Sequence, residues 1–253
     1  MEGSSTRVNN AFYEELGEAW YEDQKHPIAL LRAENKARNP WVLEQIRQRR
    51  GPACDILDIG CGAGFLTNAL ALHEHRVTGI DISPRSLEVA QKRDSTKTAR
   101  YMQLDAFALP FPDHSFDVVC AMDFLEHVEI PEQIVREAAR LLRPKGLFFF
   151  HTFNRNLLSW LLVIKGVEWC VPNTPTNIHI YSYFIKPAEM KRWCEQSGLS
   201  LQEMHGLSPR FRSFSFWKSF LTRKVDRDLE FHFTSSLRVG YVGLAQMGNR
   251  PLA

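Results

Sequence analysis

The sequence predicts an α/β protein: a doubly wound, mostly parallel seven-stranded sheet with helices on both faces, an antiparallel hairpin near the C-terminus and helices ahead of the sheet. Three observations lead there. From Asp55 onward, short apolar runs alternate with helix-like segments. The runs are continuously apolar rather than alternating, as strands covered on both faces must be. After Phe153 the alternation stops, and two late strand-like runs follow each other.

In chain order, residues 8–50 read as amphipathic helix, with Phe12, Leu16, Ala19 and Trp20 at helical spacing and then Leu30, Leu31, Trp41, Val42 and Ile46. Pro27 and Pro40 divide this stretch, and Gly51-Pro52 ends it. The reading is a helical cap over 1–50 followed by a main domain over 51–253. Strands are expected at 55–60, 76–82, 100–104, 116–122 and 146–153. Helices are expected at 65–73, 84–93 and 131–142, the second opened by Ser83-Pro84, a cap followed by a first-turn proline. An apolar insertion occupies about 155–182, with a helix near 156–171. Another helix follows Pro187 over 187–196, and strands are expected at 199–207 and 238–247.

The 253 residues carry 31 Lys and Arg against 29 Asp and Glu, a formal charge of +2, which argues against a nucleic-acid binder. Five cysteines form no CxxC pair, so a disulfide scaffold or zinc cluster is not expected, and a cytoplasmic setting is the default. The N-terminus shows no apolar signal core, and no apolar run reaches the roughly 18 residues a membrane span needs.

The most informative segment is Asp58-Ile59-Gly60-Cys61-Gly62-Ala63-Gly64, between the first strand and first helix. Alternate glycines allow a sharp turn and close ligand approach. In open α/β sheets the ligand lies at this end of the strands. The spacing is G-x-G-x-G rather than G-x-G-x-x-G, which weakens a nicotinamide dehydrogenase reading. Asp81 ends the second strand, where a carboxylate can accept from a ribose diol. Asp58 would repel a pyrophosphate but suits a cationic ligand bearing an amino acid.

The runs LDIGCGAG, TGIDIS and LDAFALPFPDHSFDVV resemble the class I S-adenosylmethionine-dependent methyltransferases over about residues 54–152. That resemblance implies a Rossmann-like fold and places Gly60, Gly62 and Gly64 on the methionine and ribose side of the cofactor, next to Asp58. It further implies Asp81-Ile82 at the ribose, Asp105-Ala106 near the adenine and Met122 beside the cofactor. Ala121–Val128 (AMDFLEHV), then Thr152–Asn156 (TFNRN) with Ser159-Trp160, then Phe184–Glu189 (FIKPAE), resemble the ubiquinone-biosynthesis O-methyltransferases from about Asn35 to Gln246. The family's cofactor-contacting arginine, in an N-x-x-R pattern, matches Asn35 and Arg38. The chain departs from the family at His151, where a small residue is usual, and over residues 206–235, which are longer and more basic than expected; it also has Asp123 where Glu is common.

The resemblance implies O-methylation of a phenol or catechol on a polyprenylated quinone precursor, with S-adenosyl-L-methionine as cofactor. A phenol near pKa 10 costs about 4 kcal/mol to ionise at pH 7, so a base or cation must help. His127 and His151 are the expected catalytic bases, with His179 a further candidate. Asp123, Glu126 and His127 match the family's acidic-x-x-Glu-His triplet, which implies a divalent cation such as Mg²⁺. Alternatives are a methyltransferase for another small phenolic acceptor and a non-catalytic cofactor-binding member of a quinone-biosynthesis complex.

Residues 206–225 contain no acidic residue, five basic ones and five aromatics (Phe211, Phe214, Phe216, Trp217, Phe220). Such interleaving suits a peripheral, anionic-lipid-facing segment. The apolar stretch 157–171 is expected to form a lid opening onto lipid. A quinone-biosynthesis complex is a further expected partner.

Overall fold

The computed structural model of the protein describes residues 12–175 and 177–249; the first eleven residues of the expected cap lie outside the described residues. Eight strands form one sheet in the order β3-β2-β1-β4-β5-β8-β6-β7. They are β1 (Asp55–Ile59), β2 (Arg76–Asp81), β3 (Arg100–Gln103), β4 (Phe116–Met122), β5 (Leu142–Phe153), β6 (Leu199–Pro209), β7 (Phe231–Thr234) and β8 (Gly240–Met247). The first five are mutually parallel. β8 runs antiparallel between β5 and β6, and β7 pairs antiparallel with the outer side of β6.

The eighth strand, β7, is a correction to the expected seven. It spans four half-buried residues, Phe-His-Phe-Thr, too short to show a period. Its partner β6 runs on to Pro209, so the segment expected as one basic-aromatic stretch from 206 begins inside the sheet.

Helices α1 (Phe12–Leu16) and α2 (Ala19–Glu22) are separated at Gly17, and α3 spans Ile28–Arg49. Pro40 does not divide α3 as expected. The helix continues through it because Val42 and Ile46, both fully buried, dock on the sheet beyond the proline. Then come α4 (Phe65–Ala71), α5 (Pro84–Arg93) and α6 (Pro131–Leu141). Ser83 caps α5 by accepting from the Ser86 N–H. The insertion is one continuous helical rod: α7 (Leu157–Ser159), a wider π-helical stretch over Trp160–Gly166, and α8 (Val167–Cys170). α9 (Pro187–Gln196) and α10 (Phe214–Thr222) complete the set.

The strand period of two explains both cores. Leu57, Ile59, Val119, Ala121, Phe148 and Phe150 face α6 and α9, while Ile56, Val118, Cys120, Leu147 and Phe149 face α3 and α4. Chain order reverses between β1 and β4. The carboxyl ends of those two strands therefore flank a crevice, and the functional groups lie there.

Candidate active site

At the end of β1, Gly60 and Gly62 take positive φ values of 69° and 51°. The space beside each is filled: a Cβ on Gly60 would stand 2.3 Å from the Phe124 ring, and one on Gly62 would stand 2.9 Å from the Trp20 indole. Gly64 has φ 81° and forms the N-cap of α4. The Cys61 N–H donates to the Ile80 carbonyl at 2.9 Å, tying the loop to β2.

Asp81 closes this loop from the other side. Its Oδ2 accepts from the Gly62 N–H at 2.9 Å and its Oδ1 from the Ser83 N–H at 2.9 Å. Each oxygen keeps a lone pair toward the crevice, and burial raises its pKa despite the backbone donors. Asp58, almost wholly buried, accepts from the Thr67 hydroxyl at 2.6 Å. Burial pushes its carboxyl up to about 7. Ile82 is exposed and, with Met122, lines the same crevice. Asp105 is exposed at the turn after β3 and accepts from the Phe107 N–H, while Ala106 is buried; neither is in the wall of the main cavity.

Beyond β4 the structure divides the residues expected to act together. Asp123 lines the same cavity as Glu126 and His127, but its carboxylate is engaged on the side of α3 and β5. Its carboxylate is bound by the Arg38 guanidinium, with Nη1 2.7 Å from Oδ1 and Nη2 2.5 Å from Oδ2. His151 Nδ1 also donates to Oδ1. Desolvation works against the Asp123 charge, but Arg38 and His151 hold the carboxyl far below the ordinary range. Arg38 has no exposed surface and is spent on Asp123; its neighbours Glu34 and Asn35, not Arg38, reach the cavity wall. His151 is likewise fully buried and outside that wall. The expectations of Arg38 as a cofactor contact and His151 as a base on the substrate therefore meet the same obstacle: both side chains point into protein.

Glu126 and His127 lie on a 3₁₀ turn, Leu125–His127, and do face the cavity. His179, from the loop after α8, joins them: one ligand atom from each of the three lies within 4.8 Å of the others. Both Glu126 oxygens and His127 Nδ1 are buried without a hydrogen-bond partner among the described residues. Burial, helped by the Asp123 charge, pushes Glu126 well above the usual carboxylate range. Burial lowers His127 to about 4, and burial with the neighbouring His127 lowers His179 to about 3. Both imidazoles are thus neutral at pH 7.

One cavity of about 810 Å³ connects these parts. It starts at the glycine loop under Tyr13 and Trp20, passes Glu126, His127 and His179, and widens into an apolar chamber lined by Val167, Val171, Phe216 and Leu229. Sequence reasoning gave Trp20 no role beyond an apolar helix position and Tyr13 none. Their place over the loop depends on α1 and α2 folding back onto the α5 side, through the Tyr21 hydroxyl bond to the Ala63 carbonyl and ion pairs from Glu18 to Lys92 and Arg93. No local pattern encodes that return.

Comparison with known proteins agrees with this geometry. Residues 57–150 match the family described as a methyltransferase domain. Among solved structures, magnesium protoporphyrin IX methyltransferase from Synechocystis with bound S-adenosylhomocysteine shares the fold at TM-score 0.62 and 17% identity, covering 95% of each chain. A methyltransferase from Methanosarcina mazei does so at TM-score 0.57 and 20% identity, covering 81% of this chain and 98% of that one. The glycine loop, the Asp81 carboxylate and the crevice between β1 and β4 define a class I S-adenosylmethionine-dependent methyltransferase. The ubiquinone biosynthesis O-methyltransferase of Pasteurella multocida is 33% identical over 241 residues, 90% of this chain and 95% of that one. That of Thiobacillus denitrificans is 37% identical over 204 residues, 78% and 85% of the two chains. The chain belongs to the ubiquinone biosynthesis O-methyltransferase family.

Proposed function

We propose that this enzyme moves the methyl group of S-adenosylmethionine onto a phenolic hydroxyl of a polyprenylated quinone precursor, taken from a membrane surface. The observation that carries this reading is the continuity of the cavity. A polar pocket at Asp58, Gly62 and Asp81 opens past Glu126 and His127 into an apolar chamber that has room for a prenyl chain. In this reading Asp81 accepts from the ribose diol, Asp58 faces the cofactor's ammonium group, and Ile82 and Met122 flank the nucleoside.

Methyl transfer from a sulfonium is an in-line displacement, so the protein mainly aligns donor and acceptor and removes one proton. His127 alone is a poor base for this: a conjugate acid near 4 against a phenol near 10 leaves about 6 pK units, or ~8 kcal/mol. Glu126, pushed upward, is better matched. The unpartnered Glu126 oxygens and His127 Nδ1, with His179 beside them, also fit a divalent cation, which when bound would lower the phenol pKa. Two imidazoles and one carboxylate suit Mn²⁺ or Zn²⁺ better than Mg²⁺, which prefers oxygen ligands. Glu126, His127 and His179 would hold the ion; Asp123 is committed elsewhere.

Membrane contact fits the surface over the chamber. Leu157 and Trp169 on the insertion, with Phe214, Trp217, Phe220 and Leu221 on α10, form an exposed apolar belt on which Phe214 is 82% and Leu157 is 78% exposed. Such belts mark interaction surfaces. The charge is less free than the sequence suggests: Arg210 pairs with Glu230, Lys218 with Asp226, and Arg223 donates to the Trp169 carbonyl. Apolar insertion therefore outweighs charge here, and no helix among the described residues is long and apolar enough to cross a membrane. The enzyme sits at the cytoplasmic face of the membrane as a peripheral protein.

The deciding experiment supplies methyl-labelled cofactor with a prenylated catechol and with the same catechol lacking its tail. Methyl transfer with kcat/KM at least ten-fold higher for the prenylated acceptor is expected. Equal efficiency would favour a small soluble phenol, and no transfer to either would leave a non-catalytic role.

A further inference from the structure

At the cavity wall Asp123 is backed by two fully buried side chains, Arg38 and His151, that the reaction itself does not use. Asp123 has φ +56°, a left-handed conformation uncommon for a residue with a side chain. Aspartate tolerates this region mainly through hydrogen bonds to nearby backbone. Here the carboxylate is held instead by two distant elements, Arg38 of α3 and His151 of β5. The Asp123 N–H also donates to the His151 carbonyl, at 3.3 Å. The next residue, Phe124, fills the space beside Gly60, and the turn carrying Glu126 and His127 follows at once.

We propose that Arg38 and His151 are positioning residues: by clamping the Asp123 carboxylate from both sides they fix the left-handed turn after β4, seating Phe124 on the glycine loop and aiming Glu126 and His127 into the cavity. His151 acts through Nδ1 alone. Its Nε2 is buried, has no hydrogen-bond partner among the described residues, and abuts Gly240, 3.2 Å from where a Cβ would stand. A substrate base needs a nitrogen that reaches the substrate, and neither ring nitrogen does. The part of this proposal that concerns turnover rests on the methyltransferase reading; the part that concerns the glycine loop does not.

The test separates the two ring nitrogens. An asparagine places its amide N–H close to where Nδ1 stands, and a glutamine places it near Nε2. His151→Ala and His151→Gln should each lower kcat about ten-fold or more and weaken S-adenosylhomocysteine binding several-fold, with an unchanged circular dichroism spectrum. His151→Asn should recover most of both losses. If Asn performs no better than Ala, or Gln as well as Asn, an Nδ1-side donor is not what the turn requires and the proposal fails. Full activity in every His151 variant also overturns it. Should the unaltered protein methylate no catechol, the functional reading fails by itself. The S-adenosylhomocysteine affinities of the same variants then still decide the clamp, because Phe124 reports on it at Gly60.

Discussion

Trp20 packs so closely on Gly62 that a Cβ on the glycine would stand 2.9 Å from the indole. The glycine loop is therefore covered by a helix from the N-terminal part of the chain. Gly62→Ala meets two penalties at once, this contact and a φ of 51°. Calorimetry with S-adenosylhomocysteine should show at least a ten-fold loss of affinity. Trp20→Phe should remove most of the tryptophan emission change on binding. Normal binding by the Gly62→Ala variant would contradict the arrangement.

Asp81 holds the loop through Gly62 and Ser83, and in the proposed function it also accepts from the ribose. Asp81→Ala should weaken cofactor binding by roughly 2–4 kcal/mol, the scale of two charge-assisted bonds. Unchanged affinity would remove Asp81 from the site.

Asp58 should make the stability of the enzyme depend on pH. Its folded pKa, raised by burial to about 7, lies above the unfolded value. Its contribution to stability is complete below about pH 4 and is lost as pH rises through 7, by up to about 4 kcal/mol. A cationic ammonium beside it would lower that pKa, so cofactor affinity should rise from pH 5.5 to 8 with release of up to one proton. Asp58→Asn should flatten both the melting temperature and the affinity across this range. Parallel pH profiles for the two proteins would sink the assignment.

The cluster of Glu126, His127 and His179 should bind Mn²⁺ in paramagnetic resonance titrations more tightly than Mg²⁺ competes for it. With both imidazoles already neutral above about pH 5 and Glu126 raised, binding should displace the Glu126 proton and strengthen with pH. Glu126→Gln and His179→Ala should each abolish it. Persistence of the bound signal in both variants would place the ion elsewhere, and full turnover after chelation would leave Glu126 as the base.

On lipid vesicles, Ser at Phe214, Trp217 and Leu221 should cost most of the binding, since these side chains are exposed and their burial in lipid is the main gain. Gln at Arg212 and Lys224 should cost less and lower the sensitivity to salt. Phe216 does not belong in this set because it packs inward against the chamber wall. Activity on a short soluble catechol should survive the Ser substitutions; its loss would mean the belt supports the fold instead. Failure of the unaltered protein to bind vesicles would favour a soluble acceptor.

Short-range physics made much of this molecule readable. A glycine at every second position after an apolar strand, an aspartate ending the next strand and Ser83-Pro84 opening a helix are local statements, and β1, β2 and α5 follow them. Continuous apolar runs such as Leu147–Phe150 require cover on both faces, which is why the sheet could be expected to be doubly wound. β7 escaped because four residues carry no period, and Pro40 misled because its cost to a helix is local while the docking of Val42 and Ile46 is not.

The sequence by itself determined seven of the eight strands, the glycine loop and the presence of Glu126 and His127 just past β4. Only the tertiary structure decided which groups meet: Trp20 over Gly62, His179 beside His127, and Arg38 and His151 on Asp123 rather than on cofactor or substrate. The physical reason is range. A turn or a cap is set by neighbours along the chain. A buried carboxylate must instead take its hydrogen-bond donors from whatever elements the packed fold brings within about 3 Å, and Arg38 and His151 lie 85 and 28 residues away from Asp123.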